Sequence, residues 1–326
     1  MKITVLGAGA WGTALARMLA AQNHQVTLWD FFSETVEAIR RTQRNERYLP
    51  GIELPPNLRA EADAARAVAG AELIVVASVS KGFRNATKVM GAFDGIAVSV
   101  TKGIECETDL TMSDVLKENA PRARIVAMSG PTLAMEVAKG IPTAIVAAST
   151  NAVAAQTVQT LFHGPAFRVY TSADILGVEL GGALKNVIAI SAGICDGLGF
   201  GDNSKAALVT RALAEIRRLG LARGAQAETF MGLSGLGDLM VTCFSKLSRN
   251  RGFGERLGRG EKAEAIVASM TAVAEGYPTA RSAYELARKL NVVTPIIDEV
   301  HAALYEGKDA RQALKDLTAR GSKAED

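Results

Sequence analysis

The spacing Gly7-x-Gly9-x-x-Gly12 directly follows the β-branched run Ile3-Thr4-Val5-Leu6 and opens an amphipathic helical pattern, Thr13 to Ala21. Glycines so placed permit a tight turn and close approach of backbone to a pyrophosphate, whose charge the free N–H groups of a helix N-terminus stabilise. Asp30 closes the next apolar run, Val26 to Trp29, where a carboxylate accepts from a ribose 2′-hydroxyl. The combination predicts dinucleotide binding. A carboxylate at Asp30 repels a 2′-phosphate, which favours NAD over NADP. Phe31 stands ready to pack on adenine, while Arg40, Arg41 and Arg44 read either as phosphate contacts or as solvated helix charges.

A second stretch, "GALKNVIAI" from Gly182, sets Lys185 and Asn186 side by side in an otherwise apolar helical run. Burying an ammonium or an amide costs free energy unless it is paired, so the two residues need a reason to be there. Oxidation of an alcohol by a nicotinamide needs a group to take the hydroxyl proton. The three histidines are poorly placed for it: His24 in a turn, His163 at a helix end before Gly164-Pro165, and His301 on the outer face of a late helix. Lys185 is then the candidate for that proton, its pKa expected to be depressed by burial and nearby cations in a cleft at the junction of two domains. The bland alternative is a lysine that lays its stem on apolar surface and its charge in water.

To position these groups the chain needs a sheet and a helical half. Short apolar runs at Ile3 to Leu6, Val26 to Trp29, Leu73 to Ala77, Ala97 to Val100, Ile125 to Ala127, Thr143 to Ala147 and Phe167 to Tyr170 alternate with helical patterns. That alternation predicts a Rossmann-type, doubly wound, mostly parallel α/β sheet over residues 1–178. The Pro-rich stretch Tyr48 to Asn57 reads as a surface loop. Beyond it, residues 179–326 carry helical spacing only, predicting an all-α substrate-binding and catalytic domain in which Asp202 or Asn203 caps the second long helix. The polar tail Ser322 to Asp326 is expected to fray.

Composition narrows the classes. The chain has 326 residues, 48% hydrophobic and 22% charged, with a formal net charge of +3, so an ordinary globular protein is expected and a nucleic-acid partner is not. Cys106, Cys195 and Cys243 lie far apart with no CxxC, which suggests neither a disulfide framework nor a metal site. No signal-peptide layout opens the chain and no membrane span or anchor is expected, so the reading is a cytoplasmic protein.

The blocks "GAGAWGTALA" from Gly7, "YLPGIELPPNL" from Tyr48, "TKGIE" from Thr101, "SGPTLA" from Ser129, "GALKNVIAISAGICDGLGFGDNSKAAL" from Gly182, "GLGDLMVTC" from Gly235, "SRN" from Ser248 and "EGYPT" from Glu275 run nearly the whole length. In them the sequence resembles the NAD(P)-dependent glycerol-3-phosphate dehydrogenases. The resemblance implies hydride transfer between NAD or NADP and the pair dihydroxyacetone phosphate and sn-glycerol 3-phosphate, feeding phospholipid synthesis, in a homodimer. It also implies Lys185 as proton acceptor and Lys102 as a second lysine at substrate and cofactor. Asn186, Asp238 and Thr242 would surround the reacting hydroxyl. Gly130, Thr132, Ser248, Arg249 and Asn250 would bind substrate, the last three at its phosphate. Gly7, Gly9, Ala10, Trp11, Gly12, Asp30, Phe31, Phe83, Ala134, Arg249, Val273 and Glu275 would line the cofactor. The sequence departs from the family at Ser78-Val79-Ser80-Lys81-Gly82-Phe83, where a proline and often a histidine are usual before the phenylalanine. Two alternatives remain: a dehydrogenase of another small hydroxy acid, and an NAD(H)-sensing protein without turnover.

Overall fold

Near-continuous apolar strands need cover on both faces, and the first half of the chain supplies it with a helix after almost every strand. The structure, a computed structural model, describes residues 1–270, 272–321 and 324, so the expected fraying of the tail falls on 322, 323, 325 and 326, outside the described residues. Two compact units divide the chain, Met1–Glu179 and Leu180–Asp326.

In the first unit the elements run β1 (Lys2–Leu6), α1 (Ala10–Ala21), β2 (Gln25–Trp29), α2 (Ser33–Thr42), β3 (Leu58–Glu61), α3 (Ala64–Val68), β4 (Leu73–Val76) and α4 (Ser80–Thr87). They continue as β5 (Ile96–Ser99), α5 (Met112–Asn119), β6 (Arg124–Ser129), α6 (Ala134–Ala138), β7 (Thr143–Ala148), α7 (Ala152–Phe162) and β8 (Phe167–Ser172). The sheet order is β3-β2-β1-β4-β5-β6-β7-β8, parallel except for the antiparallel pair β6 and β7. Side chains alternate across it. Ile3, Val5, Leu73, Val75, Ile96 and Val98 face a core shared with α1 and α7, whereas Leu6, Ile74, Val76 and Ala97 face one shared with α4 and α5. Strand order reverses between β1 and β4, and in an open parallel sheet the crevice at such a switch point is where ligands bind.

All seven expected strands form, and an eighth, β3, emerges where the Pro-rich stretch ends. The second unit holds only helices among its described residues. The boundary falls inside α8 (Ile175–Gly197), which is followed by α9 (Asp202–Ala222), a π-helical turn at Leu233–Gly237, α10 (Asp238–Phe244), α11 (Arg249–Gly258), α12 (Ala263–Ser269), α13 (Gly276–Lys289), α14 (Pro295–Tyr305) and α15 (Ala310–Thr318). By length and composition alone α8 is apolar enough to cross a membrane, yet 89% of its most apolar window is buried in protein, the pattern of a core helix.

Two sequence expectations need correction here. The N-cap of α9 is Gly201 with no side-chain hydrogen bond; Asp202 lies inside the first turn, where its charge favours the helix dipole without capping it. His301 is not simply turned outward: its ring stacks on Tyr284 at 4.0 Å and tilts against Tyr305 at 5.2 Å.

Candidate active site

The turn after β1 is shaped by contact with the turn after β4. Gly7 has φ +112°, and a Cβ there would lie 2.8 Å from Ala77 backbone atoms; one on Gly12 would lie 2.0 Å from the Gly7 carbonyl oxygen. Only glycine allows this closeness, which seats α1 directly on the strand. Gly9 is the N-cap of α1, no side chain caps the helix, and no acidic residue occupies its first turn. A Cβ on Gly9 would meet nothing within 4 Å, and the buried Trp11 indole N–H has no hydrogen-bond partner. Open space over donors left unsatisfied at a helix N-terminus fits a dinucleotide pyrophosphate. Ala10 starts the helix, and Trp11 and Ala134, at the start of α6, pack on one small cluster with Leu49 and Ala138. Asp30 is 8% exposed; one of its oxygens accepts from the Ala8 N–H at 2.7 Å and the other from the Phe32 N–H at 3.0 Å. Phe31 is 80% exposed.

Within the same unit the loops after β5 and β6 bring together Lys102, Gly130 and Thr132. The Lys102 ammonium donates to the Gly130 carbonyl at 2.8 Å and to the Thr132 hydroxyl at 3.2 Å. The Thr101 hydroxyl donates to the Ser78 carbonyl at 2.7 Å, tying this loop to the segment after β4. Phe83, expected at the cofactor, is 0% exposed and fills the core beneath α4, so it has no surface with which to touch one.

In the second unit α8 carries Lys185 into the protein at 6% exposure. Its Nζ donates to Asp238 Oδ1 at 2.6 Å and to Thr242 Oγ at 2.6 Å. Both acceptors come from α10, four residues apart and hence on one face. The Thr242 hydroxyl donates back to the Asp238 carbonyl at 2.6 Å, which turns its lone pairs toward the lysine. An ammonium removed from water needs such a counter-charge and filled hydrogen bonds. Cys243 next to Thr242 is inert: burial pushes its thiol up to about 12, with the Lys185 charge opposing.

Asn186 belongs to a separate buried chain. Asn250 donates from its amide to Asn186 Oδ1 at 2.8 Å and accepts from the Gly276 N–H at 2.9 Å. Ser248 is the N-cap of α11, accepting from the Arg251 N–H at 3.2 Å. Arg249, first in α11, is exposed at its surface. Protein packed around the guanidinium lowers its pKa and the charge of Glu275 opposes that, but the group stays cationic at any physiological pH. Val273 is 46% exposed, and Glu275 is the N-cap of α13. Thus Lys185, Asp238 and Thr242 converge directly, Asn186 and Asn250 converge beside the start of α11, and Arg249 and Glu275 interact electrostatically.

Sequence reasoning missed how α8 and α11 meet. A Cβ on Gly254 would lie 1.9 Å from the Ile190 carbonyl oxygen, and one on Gly193 would lie 2.0 Å from that of Arg251. Gly193-x-x-x-Gly197 and Gly254-x-x-x-Gly258 were the signal, since small residues four apart let two helix backbones touch. Also missed was Asp196, which pairs with both Lys205 and, at 2.6 Å, Arg251.

Residues 2–155 match the family described as NAD-dependent glycerol-3-phosphate dehydrogenase N-terminus, and residues 174–315 match its C-terminus counterpart. The chain is 50% identical over 331 residues to a glycerol-3-phosphate dehydrogenase [NAD(P)+] of Syntrophotalea carbinolica, covering 100% of this chain and 99% of that one. It is 51% identical to the enzyme of that name from Trichlorobacter lovleyi, with the same coverage. The crystal structure of glycerol-3-phosphate dehydrogenase from Coxiella burnetii superposes with a TM-score of 0.95 at 37% identity, over 98% of this chain and 99% of that one. A D-mandelate dehydrogenase structure with NADH, at 12% identity and TM-score 0.66 over 96% of this chain and 100% of that one, shares the fold alone. The chain belongs to the NAD-dependent glycerol-3-phosphate dehydrogenase family.

Proposed function

We propose that this chain is a glycerol-3-phosphate dehydrogenase that interconverts dihydroxyacetone phosphate and sn-glycerol 3-phosphate with NAD or NADP. Full-length relatives at about half identity carry that activity in their names, and the buried Lys185, Asp238 and Thr242 constellation is the observation that supports a chemical role here. The chemistry supplied by the bound dinucleotide is hydride donation or acceptance at carbon 4 of its nicotinamide ring. The turn of Gly7, Gly9 and Gly12 with the start of α1, Ala10 and Trp11 included, would hold the pyrophosphate, and by the family resemblance Ala134, Val273 and Glu275 would add further cofactor contacts.

In the reducing direction Lys185 gives a proton to the oxygen of the former carbonyl as hydride reaches the carbon; in oxidation it takes the hydroxyl proton back. To the expectation of an amine tuned by burial and neighbouring cations the second unit adds a counter-charge, Asp238, at 2.6 Å. The Asp238 carboxylate supports the ammonium, which suits a proton donor, and Thr242 fixes the direction of the Nζ donors. Lys102, with Gly130 and Thr132, and Arg249, with Ser248 and Asn250, bind the substrate. A guanidinium meets phosphate through a planar fork of donors, and binding energy from that unreactive end orients the reacting carbon.

The reduced product is the glycerol phosphate backbone of phospholipids, and we place the enzyme in the cytoplasm as a homodimer in that supply. The test is the loss of NADH or NADPH absorbance on adding dihydroxyacetone phosphate. Turnover dependent on that substrate is expected; cofactor binding with no absorbance change would make the chain a sensor, and turnover of unphosphorylated hydroxy-acid precursors alone would make it another dehydrogenase.

A further inference from the structure

At the C-terminal end of β2, where the adenosine half of a dinucleotide rests in this sheet type, the side chains are not arranged as the sequence suggests. The Asp30 carboxylate is turned onto its own loop. Each oxygen accepts one backbone N–H, from Ala8 and from Phe32, and 8% of the residue reaches solvent, so part of its acceptor capacity braces the Gly-rich turn. Of the nearby arginines, Arg40 donates to the Ala60 carbonyl at 2.9 Å and lies 3.7 Å from Glu61, and Arg44 lies 3.6 Å from Glu46.

Arg47 differs. Its guanidinium carbon sits 5.8 Å from the centre of the Phe32 ring and 5.1 Å from that of Tyr48, within the range of attraction between a cation and an aromatic face. It is exposed, and among the described residues it pairs with no carboxylate. Phe31 meets Phe32 edge-on, centroids 5.5 Å apart at 88°, and presents an 80% exposed ring to solvent. An uncovered aromatic face, a second ring perpendicular to it, and a cation held by that second ring form a receptor for a purine carrying a phosphate.

We propose that Arg47, rather than Asp30, is the specificity-determining residue at the adenosine ribose, and that it recognises the 2′-phosphate of a phosphorylated dinucleotide while Phe31 stacks on the adenine. The proposal rests on the dinucleotide reading above and selects within it: NADPH is bound at least as well as NADH. Aromatic faces on Arg47 restrict its rotamers in advance, so its donor fork meets phosphate with less ordering cost than a free arginine would.

The test is equilibrium binding of NADPH and of NADH, followed by quenching of tryptophan fluorescence, to the full-length protein and to Arg47→Ala and Arg47→Lys. Wild type should bind NADPH with a Kd no larger than that for NADH. Arg47→Ala should raise the ratio of the NADPH to the NADH Kd about tenfold, equivalent to about 1.4 kcal/mol. Arg47→Lys should fall between, because a point charge replaces the fork. An unchanged ratio in Arg47→Ala with NADH still bound would overturn the assignment of Arg47 and leave the dinucleotide reading standing. A wild type that binds neither dinucleotide would overturn both.

Discussion

Lys185 would be an expensive residue to bury by itself, and its cost is offset within one turn of α10 by Asp238 and Thr242. Truncating one partner of such a pair leaves the other charge stranded, typically at about 3–5 kcal/mol, so single variants mix lost chemistry with lost stability. A double-mutant cycle separates them. Lys185→Met and Asp238→Asn should each lower the unfolding free energy measured in urea, and the double variant should lose less than their sum, with a coupling of about 1–3 kcal/mol. Additive losses would show that the pair does not interact. Arg249→Ala should raise KM for dihydroxyacetone phosphate about tenfold or more, with a smaller fall in kcat from poorer orientation; an unchanged KM would remove Arg249 from the phosphate. The motif blocks made Lys185, Asp238, Thr242 and the glycine turn legible in the sequence. Where side chains point was not legible. Phe83 reads the same facing a core or a ligand, and Asp30 reads the same whether its carboxylate serves a ribose or its own loop.

Helices α8 and α11 carry Lys185 and Arg249 respectively, and glycines let their backbones touch. Gly254→Ala places a methyl 1.9 Å from a carbonyl oxygen, where no rotamer can relieve it. The helices must separate, at a cost of about 1–3 kcal/mol. Because Asn250 on α11 bonds to Asn186 on α8, the shift should reach the substrate groups. We expect a lower midpoint in thermal unfolding together with a raised KM for the phosphorylated substrate. A variant with normal stability and normal KM would contradict this packing. The glycines that make α11 useful also hid it, since four of them between Gly252 and Gly260 break the helical signal in isolation and tertiary contact overrides it. β3 was hidden differently. Leu-Arg-Ala-Glu holds one strong apolar residue, enough for an edge strand that pairs only with β2.

Through the whole chain the parallel order and switch point follow from alternating strands and helices, so the fold was the most legible part of the sequence; long-range polar anchors were the least. Glu179 in α8 accepts from the Ser113 N–H at 2.8 Å and hydroxyl at 2.6 Å, at the start of α5. Glu215 in α9 accepts from the N–H groups of Ile296 at 2.9 Å and Ile297 at 3.3 Å, at the start of α14. Burial raises both carboxyls from 4.5 to about 7, against the opposing pull of those hydrogen bonds. Each therefore holds its proton more tightly folded than unfolded. That stabilisation is complete below the unfolded value, declines as pH rises toward about 7, and is absent above it. The urea midpoint should fall between about pH 5 and about pH 7.5, and Glu179→Gln with Glu215→Gln should flatten the profile; an unaltered profile would remove both groups as its cause.

The most direct measurement is kcat for reduction of dihydroxyacetone phosphate by Lys185→Met, made beside the Kd for NADH of the same folded variant. Loss of proton transfer predicts a fall in kcat of about a hundredfold or more with NADH binding kept within about twofold. A variant that folds, binds NADH and turns over near the wild-type rate would contradict the account.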